Sequence, residues 1–187
     1  MTKIRFLPIV MISCCFQFCH TDRVEKLKDG LLIHVEGDVK QVKLQVINDK
    51  IIRVSASPED KISTTPSLIS VVSNDTDVKW TSTADDNTAT LKTNALTATV
   101  DLKTGLVQFK DAQGNTIINE GGKAFTPVTI DGKKLFRLQQ LFDSPADEAF
   151  YGLGQPQTGL MNYKNQDVDL TQYNSQVAVP FILSSRH

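Results

Sequence analysis

Carboxyl groups are the most abundant chemically useful side chains here, and two clusters lie close enough in sequence for paired acid–base work. Asp143, Asp147 and Glu148 form one, and Asp167 and Asp169 the other. Two facing carboxyls in unlike surroundings can divide into an ionised group and a protonated acid. With 21 acidic residues in the chain, presence alone is no test. Both clusters read as loop or turn carboxylates, so no catalytic role is assigned to either. His34 stands in an alternating strand with no second histidine nearby, which points to a structural imidazole. Trp80, the one tryptophan, could serve as a stacking platform, but a tryptophan in a strand is more often a core anchor. Gly152 and Gly154 suggest a phosphate-binding turn until the sequence after them is read. No helical pattern follows to offer its N-terminus to an anion. The glycines instead predict an unusual backbone angle or a close approach between packed strands.

The elements that must position these residues are strands. After residue 30 no apolar stripe keeps helical spacing, whereas period-two alternation is frequent. Val42, Leu44 and Val46 alternate with Gln41, Lys43 and Gln45, and Ile52 and Val54 return after the Asn48-Asp49-Lys50 turn. Leu68 to Val72 is apolar enough for a central strand, and Val78 to Thr81 follows. Ala89 to Lys92 and Leu96 to Val100 come next, then Leu106 to Phe109 and Thr116 to Ile118. Turns at Lys103-Thr104-Gly105 and Gln113-Gly114-Asn115 join the last of these. Asp131-Gly132 closes a hairpin between Val128 to Ile130 and Leu135 to Phe142, since both central residues of such a turn need positive φ. Ser144 to Glu148 is the one place where a short helical turn is plausible. This pattern predicts an all-β fold, an antiparallel β-sandwich or barrel, spanning 31–187.

Composition removes several classes of function. Hydrophobic content of 40% and charged content of 22% suit a globular domain. A net charge of -1 with scattered Lys and Arg gives no basic stripe for nucleic acid. All three cysteines, Cys14, Cys15 and Cys19, fall within the first 20 residues, so the body has no disulfide framework or thiolate metal site. Lys3 and Arg5 precede an eight-residue apolar run, Phe6 to Ser13, too short to span a bilayer and suited to a secretory signal over 1–19. Met11-Ile12-Ser13-Cys14 resembles a bacterial lipoprotein box, which would make Cys14 a lipidated membrane anchor in the periplasm or at the cell surface. The alternative is a plain signal peptide with incidental cysteines. His20 to Gly30 is charged and without periodicity, and it reads as a tether.

Phe150-Tyr151-Gly152-Leu153-Gly154-Gln155, a polar loop, and then Val179-Pro180-Phe181-Ile182-Leu183-Ser184-Ser185-Arg186 together resemble the end of the N-terminal domain in glycoside hydrolase family 31. The Gly-Gln-Pro-Gln continuation is similar to the α-xylosidase-type members. The resemblance implies a galactose-mutarotase-like β-sandwich that precedes a catalytic barrel, with both catalytic aspartates on the barrel. It implies no metal or organic cofactor. Retaining glycoside hydrolysis needs two carboxyls flanking the bond, and no position here matches either family motif. The loop Asn162 to Val177 corresponds to one that reaches toward the sugar. Within it Gln172, Tyr173 and Asn174 are candidate substrate-binding residues, because amides donate and accept and a phenol adds an apolar face. A solvated loop is the competing reading. The implied partner is an oligosaccharide such as a xyloglucan fragment, met together with the barrel. Three other readings compete, a non-catalytic carbohydrate-binding surface lipoprotein, a generic structural domain with no glycan affinity, and a free-standing mutarotase. A sandwich of this kind should expose apolar residues where the barrel would pack.

Overall fold

The computed structural model describes residues 23–66 and 78–186, and all of its regular structure is β. Three antiparallel sheets account for it. The first is a four-stranded meander of β1 (Val24–Leu27), β2 (Gly30–His34), β3 (Gln41–Asn48) and β4 (Ile51–Ser57). The second runs β10-β9-β8-β7-β6-β5, from β5 (Thr81–Ala84), β6 (Thr88–Lys92) and β7 (Leu96–Asp101) through β8 (Val107–Asp111) to β9 (Thr116–Ile130) and β10 (Lys133–Phe142). A two-stranded ribbon, β11 (Phe150–Gln155) with β12 (Val177–Ser184), completes the chain.

The first two sheets bury their alternating residues against each other. Leu31, Ile33, Val42 and Leu44 from one sheet, with Leu91, Ala98, Val100 and Val107 from the other, are at most 1% exposed and form one cluster. Each such Val, Leu or Ile side chain, fully removed from water, contributes about 1.5–3 kcal/mol. Trp80 packs against this cluster as a core anchor, with the Lys26 ammonium 4.9 Å from its ring centroid. The fold is the expected antiparallel sandwich.

Aspartates set the hairpins. Asp85, Asp101 and Asp111 each accept backbone N–H bonds from the two to four residues that follow, at 2.7–3.0 Å. Asp131 (φ 49°) and Gly132 (φ 73°) supply the paired positive angles expected of the Asp-Gly turn.

Several details differ from the sequence expectation. Val24–Leu27, placed within the tether 20–30, is strand β1, paired with β2 from Val24↔Ile33 to Leu27↔Gly30. Four residues at a sheet edge need bury only one face lightly, and the exposed Glu25 and Lys26 masked the alternation. Val78 to Trp80 lies outside the strand, which begins at Thr81. Ser144 to Glu148 makes a hydrogen-bonded turn, closed by Glu148 N donating to Pro145 O at 3.1 Å, and no helix. The expected strand Leu68 to Val72 and the proposed anchor Cys14 lie outside the described residues.

Candidate active-site wall

The ribbon β11–β12 is built around a bulge that requires its glycines. Gly152 pairs with Ile182 and Gly154 with Ala178. Between these pairs β11 spends only Leu153, while β12 spends Val179, Pro180 and Phe181. Gly152, Leu153 and Gly154 have φ of 108°, 63° and 92°, a run that only glycine-flanked chains tolerate. Leu153 is driven inward to 8% exposure. A Cβ on Gly154 would lie 2.1 Å from Val177 O, and one on Gly152 2.5 Å from Phe181 O. Close approach of backbones, as the sequence predicted, is what these glycines permit.

From Gln155 the chain makes an excursion that returns to β12. Its early part folds back along β11. Tyr163 N donates to Phe150 O at 2.8 Å, and Phe150 N donates to Asn162 Oδ1 at 3.0 Å. Phe150 is therefore flanked by β12 on one side and by 162–164 on the other. Lys164 reaches across to the turn after β10, donating to Pro145 O at 2.8 Å and Ser144 O at 3.3 Å, and also to the Ser144 hydroxyl. Gln172, Tyr173 and Asn174 come together at the far end. Gln176 N donates to Tyr173 O at 3.2 Å, Asn174 is left-handed at φ 54°, and Gln157 Nε2 donates to Ser175 Oγ at 2.9 Å. All three candidates are exposed, Tyr173 by 64%.

The acidic clusters do not form a facing pair. Glu148 is buried and accepts from Ser144 Oγ at 3.0 Å and Ser184 Oγ at 2.5 Å. Asp147 is paired outward with Arg186, whose guanidinium holds the carboxyl below its usual range. Asp169 accepts from Thr171 Oγ1 at 2.8 Å, and Asp167 is exposed. His34 Nε2 lies 3.0 Å from Glu25 Oε1 in an exposed pair. Among the described residues no group of three or more His, Cys, Asp or Glu could hold a metal ion.

A broad apolar surface lies along β10 and β12. β10 is exposed along its whole length, including Leu138 (67%), and β12 presents Phe181 (60%) and Ile182 (57%). Between them an open cavity of about 760 Å³ is lined by Ile117, Leu141, Phe142, Phe150 and Ile182, with Glu148 among its polar groups. The expected exposed apolar area is present. The Lys164–Ser144 and Glu148–Ser184 contacts were missed, because they join residues 20 and 36 positions apart. The local Asn-x-Lys turn, Lys164 N to Asn162 Oδ1 at 2.9 Å, was the one signal available.

Residues 41–187 match the sequence profile of the glycosyl hydrolase 31 N-terminal galactose mutarotase-like domain. The chain belongs to glycoside hydrolase family 31. It is 38% identical to the crystal structure of the family 31 α-xylosidase of Xanthomonas citri, with a TM-score of 0.78, covering 87% of this chain and 18% of that one. A family 31 α-xylosidase from a soil metagenome, solved with xylose, shares the fold at 23% identity and a TM-score of 0.70, covering 87% and 26%. A curated relative, an uncharacterized family 31 glucosidase (ORF2) of Pseudescherichia vulneris, is 27% identical over 124 residues, 54% of this chain and 23% of that protein. This family 31 chain thus spans about a quarter or less of the length of these relatives, and it corresponds to their N-terminal domain.

Proposed function

We propose that this family 31 domain forms one wall of the substrate site in a retaining α-glycosidase of α-xylosidase type, and supports the barrel that carries out the chemistry. The substrate class is an oligosaccharide bearing a terminal α-linked xylose or glucose, such as a xyloglucan fragment. One juxtaposition carries the reading. A loop rich in amides and hydroxyls is fixed at its base to the turn after β10, a turn that with β10 and β12 lines an open apolar cavity, in a chain 38% identical to an α-xylosidase. The apolar surface along β10 and β12 offers the area a packed barrel would remove from water. Gln172, Tyr173 and Asn174 offer donors, acceptors and one ring face to sugar hydroxyls. Two of its carboxylates, Asp101 and Glu148, are engaged in a turn and in internal hydrogen bonds, and in this reading the reacting carboxyls belong to the barrel.

The test is hydrolysis of aryl α-xylosides and α-glucosides by the enzyme that carries this domain, with and without Asn174→Ala. A raised KM for the variant supports the wall, and an unchanged KM places the loop outside the site. Lipidation at Cys14 is a separate proposal that rests on the Ile12-Ser13-Cys14 pattern. Mass spectrometry of the native N-terminus checks it, and an unmodified Cys14 removes the anchor.

A further inference from the structure

We propose that Lys164 is the positioning residue of the substrate-facing loop, acting through a relay of Ser144 and Glu148. This inference rests on the loop's role proposed above. The Lys164 ammonium donates to Ser144 O and Pro145 O, at 3.3 and 2.8 Å, and to the Ser144 hydroxyl, and it sits 5.3 Å from the Phe150 ring centroid. Ser144 Oγ donates in turn to Glu148 Oε2 at 3.0 Å, and Glu148 Oε1 receives the Ser184 hydroxyl at 2.5 Å.

The direction of every bond follows from the charges. An ammonium only donates and an ionised carboxylate only accepts, so the single hydroxyl proton of Ser144 points at Glu148 while its lone pairs face Lys164. Charge at both ends strengthens both bonds. Three separate parts of the chain meet here: the base of the loop, the turn after β10, and β12. Just beyond Lys164 the loop carries local bonds, such as Gln166 N to Tyr163 O at 3.1 Å and Thr171 Oγ1 to Asp169 Oδ1 at 2.8 Å. It is next tied to the body past Asn174, where Gln157 Nε2 donates to Ser175 Oγ at 2.9 Å and β12 begins at Val177. Lys164 therefore sets the direction in which the outgoing limb of the loop leaves the body on its way to Gln172, Tyr173 and Asn174. A displaced base would move these groups relative to a sugar while leaving the reacting carboxyls of the barrel untouched.

The test compares Lys164→Met, Lys164→Arg, Glu148→Gln and Asn174→Ala in the enzyme that carries this domain, by steady-state kinetics on an aryl α-xyloside. Lys164→Met and Glu148→Gln are each expected to raise KM roughly tenfold with kcat nearly unchanged, the signature of lost orientation in binding. The double variant is no worse than either single one, and Lys164→Arg recovers most of the loss. Lys50→Met, in the β3–β4 turn, changes neither constant. Amide hydrogen exchange on this chain provides a second readout, in which Lys164→Met speeds exchange across 165–176 and leaves β2, β3 and β7 protected. An unchanged KM for Lys164→Met beside a raised one for Asn174→Ala overturns the relay and leaves the loop's role intact. An unchanged KM for Asn174→Ala overturns both. Protection lost equally across the core makes Lys164 merely structural and overturns the proposal.

Discussion

Replacing Gly154 with alanine separates two reasons for a glycine at this position: freedom of φ and closeness of backbones. At φ 92° any residue with a Cβ carries strain of roughly 1–3 kcal/mol. The added methyl would also stand 2.1 Å from Val177 O and 2.8 Å from Val179 N, both backbone atoms that cannot rotate away. To restore ordinary contact the strands must part by more than about 1 Å, which breaks ladder bonds at Gly154↔Ala178 and Gln155↔Val177. Two lost hydrogen bonds add about 1 kcal/mol each, for a total of roughly 3–5 kcal/mol. Gly132→Ala is the matched control, because Gly132 has φ 73° and nothing within 4 Å of its would-be Cβ, leaving strain alone. The ribbon can open without unfolding the sandwich, so the loss is read locally, by native-state hydrogen exchange at Tyr151 and Leu183. Urea unfolding followed through Trp80 should shift less than that local exchange. Equal effects of Gly154→Ala and Gly132→Ala, each near 1 kcal/mol, would refute the close-approach reasoning.

Four further outcomes follow from the same geometry. Leu44→Ala, at a site with no exposure, should lower unfolding free energy by about 2–5 kcal/mol in urea titration. Glu120→Gln should cost about 3–5 kcal/mol, because Glu120 and Lys123 are paired at 2.9 Å with side chains only 8% and 6% exposed, and the ammonium would be left uncompensated. Burial pushes the Asp101 carboxyl up, but the hydroxyl and amide of Thr104 and the amide of Lys103 outweigh it and hold its pKa below the ordinary value. Its stabilisation is thus full above about pH 4 and lost as pH falls through the lowered folded value; Asp101→Asn should be less stable at neutral pH and converge with the parent in acid melts. Leu138→Ser and Phe181→Ser, at 67% and 60% exposure, should reduce self-association in sedimentation without lowering the melting temperature of this chain.

The strands that were legible in sequence are those whose two faces meet different surroundings. Val42, Leu44 and Val46 alternate cleanly because one side meets the opposite sheet and the other meets water. β9 was harder. Thr116 to Ile118 and Val128 to Ile130 read as separate strands, yet β9 runs unbroken from Thr116 to Ile130, through Gly121, Gly122 and Pro127. The structure shows why those residues are tolerated. β8 pairs with β9 only as far as Asn119, so beyond that point β9 has one partner, β10, and Pro127 can lack a donor on the open side. Gly121 sits at the register shift opposite Leu141 and Phe142, where a Cβ would meet Asp143 Oδ1 at 2.7 Å. A break in sequence and a bulge in a continuous strand look the same until the partner is known.

The candidate site was read from residue type, within a loop that the family resemblance singled out. Gln172, Tyr173 and Asn174 could be selected because amides and a phenol suit hydroxyl-rich ligands. The groups holding the loop could not, since Lys164, Ser144 and Glu148 are ordinary surface residues until the fold brings them together. Glu148 shows the difference most clearly. In sequence it belongs with Asp143 and Asp147 as one more turn carboxylate, but in the fold it points inward to two serine hydroxyls while Asp147 turns out to Arg186. An unassisted buried carboxylate would be expelled or neutralised. Its two hydroxyl donors, one of them held by a lysine, are what allow it to remain beneath the base of the loop. The most buried acidic residue of this cluster is therefore one whose bonds tie the turn after β10 to β12, and residue type alone does not reveal it.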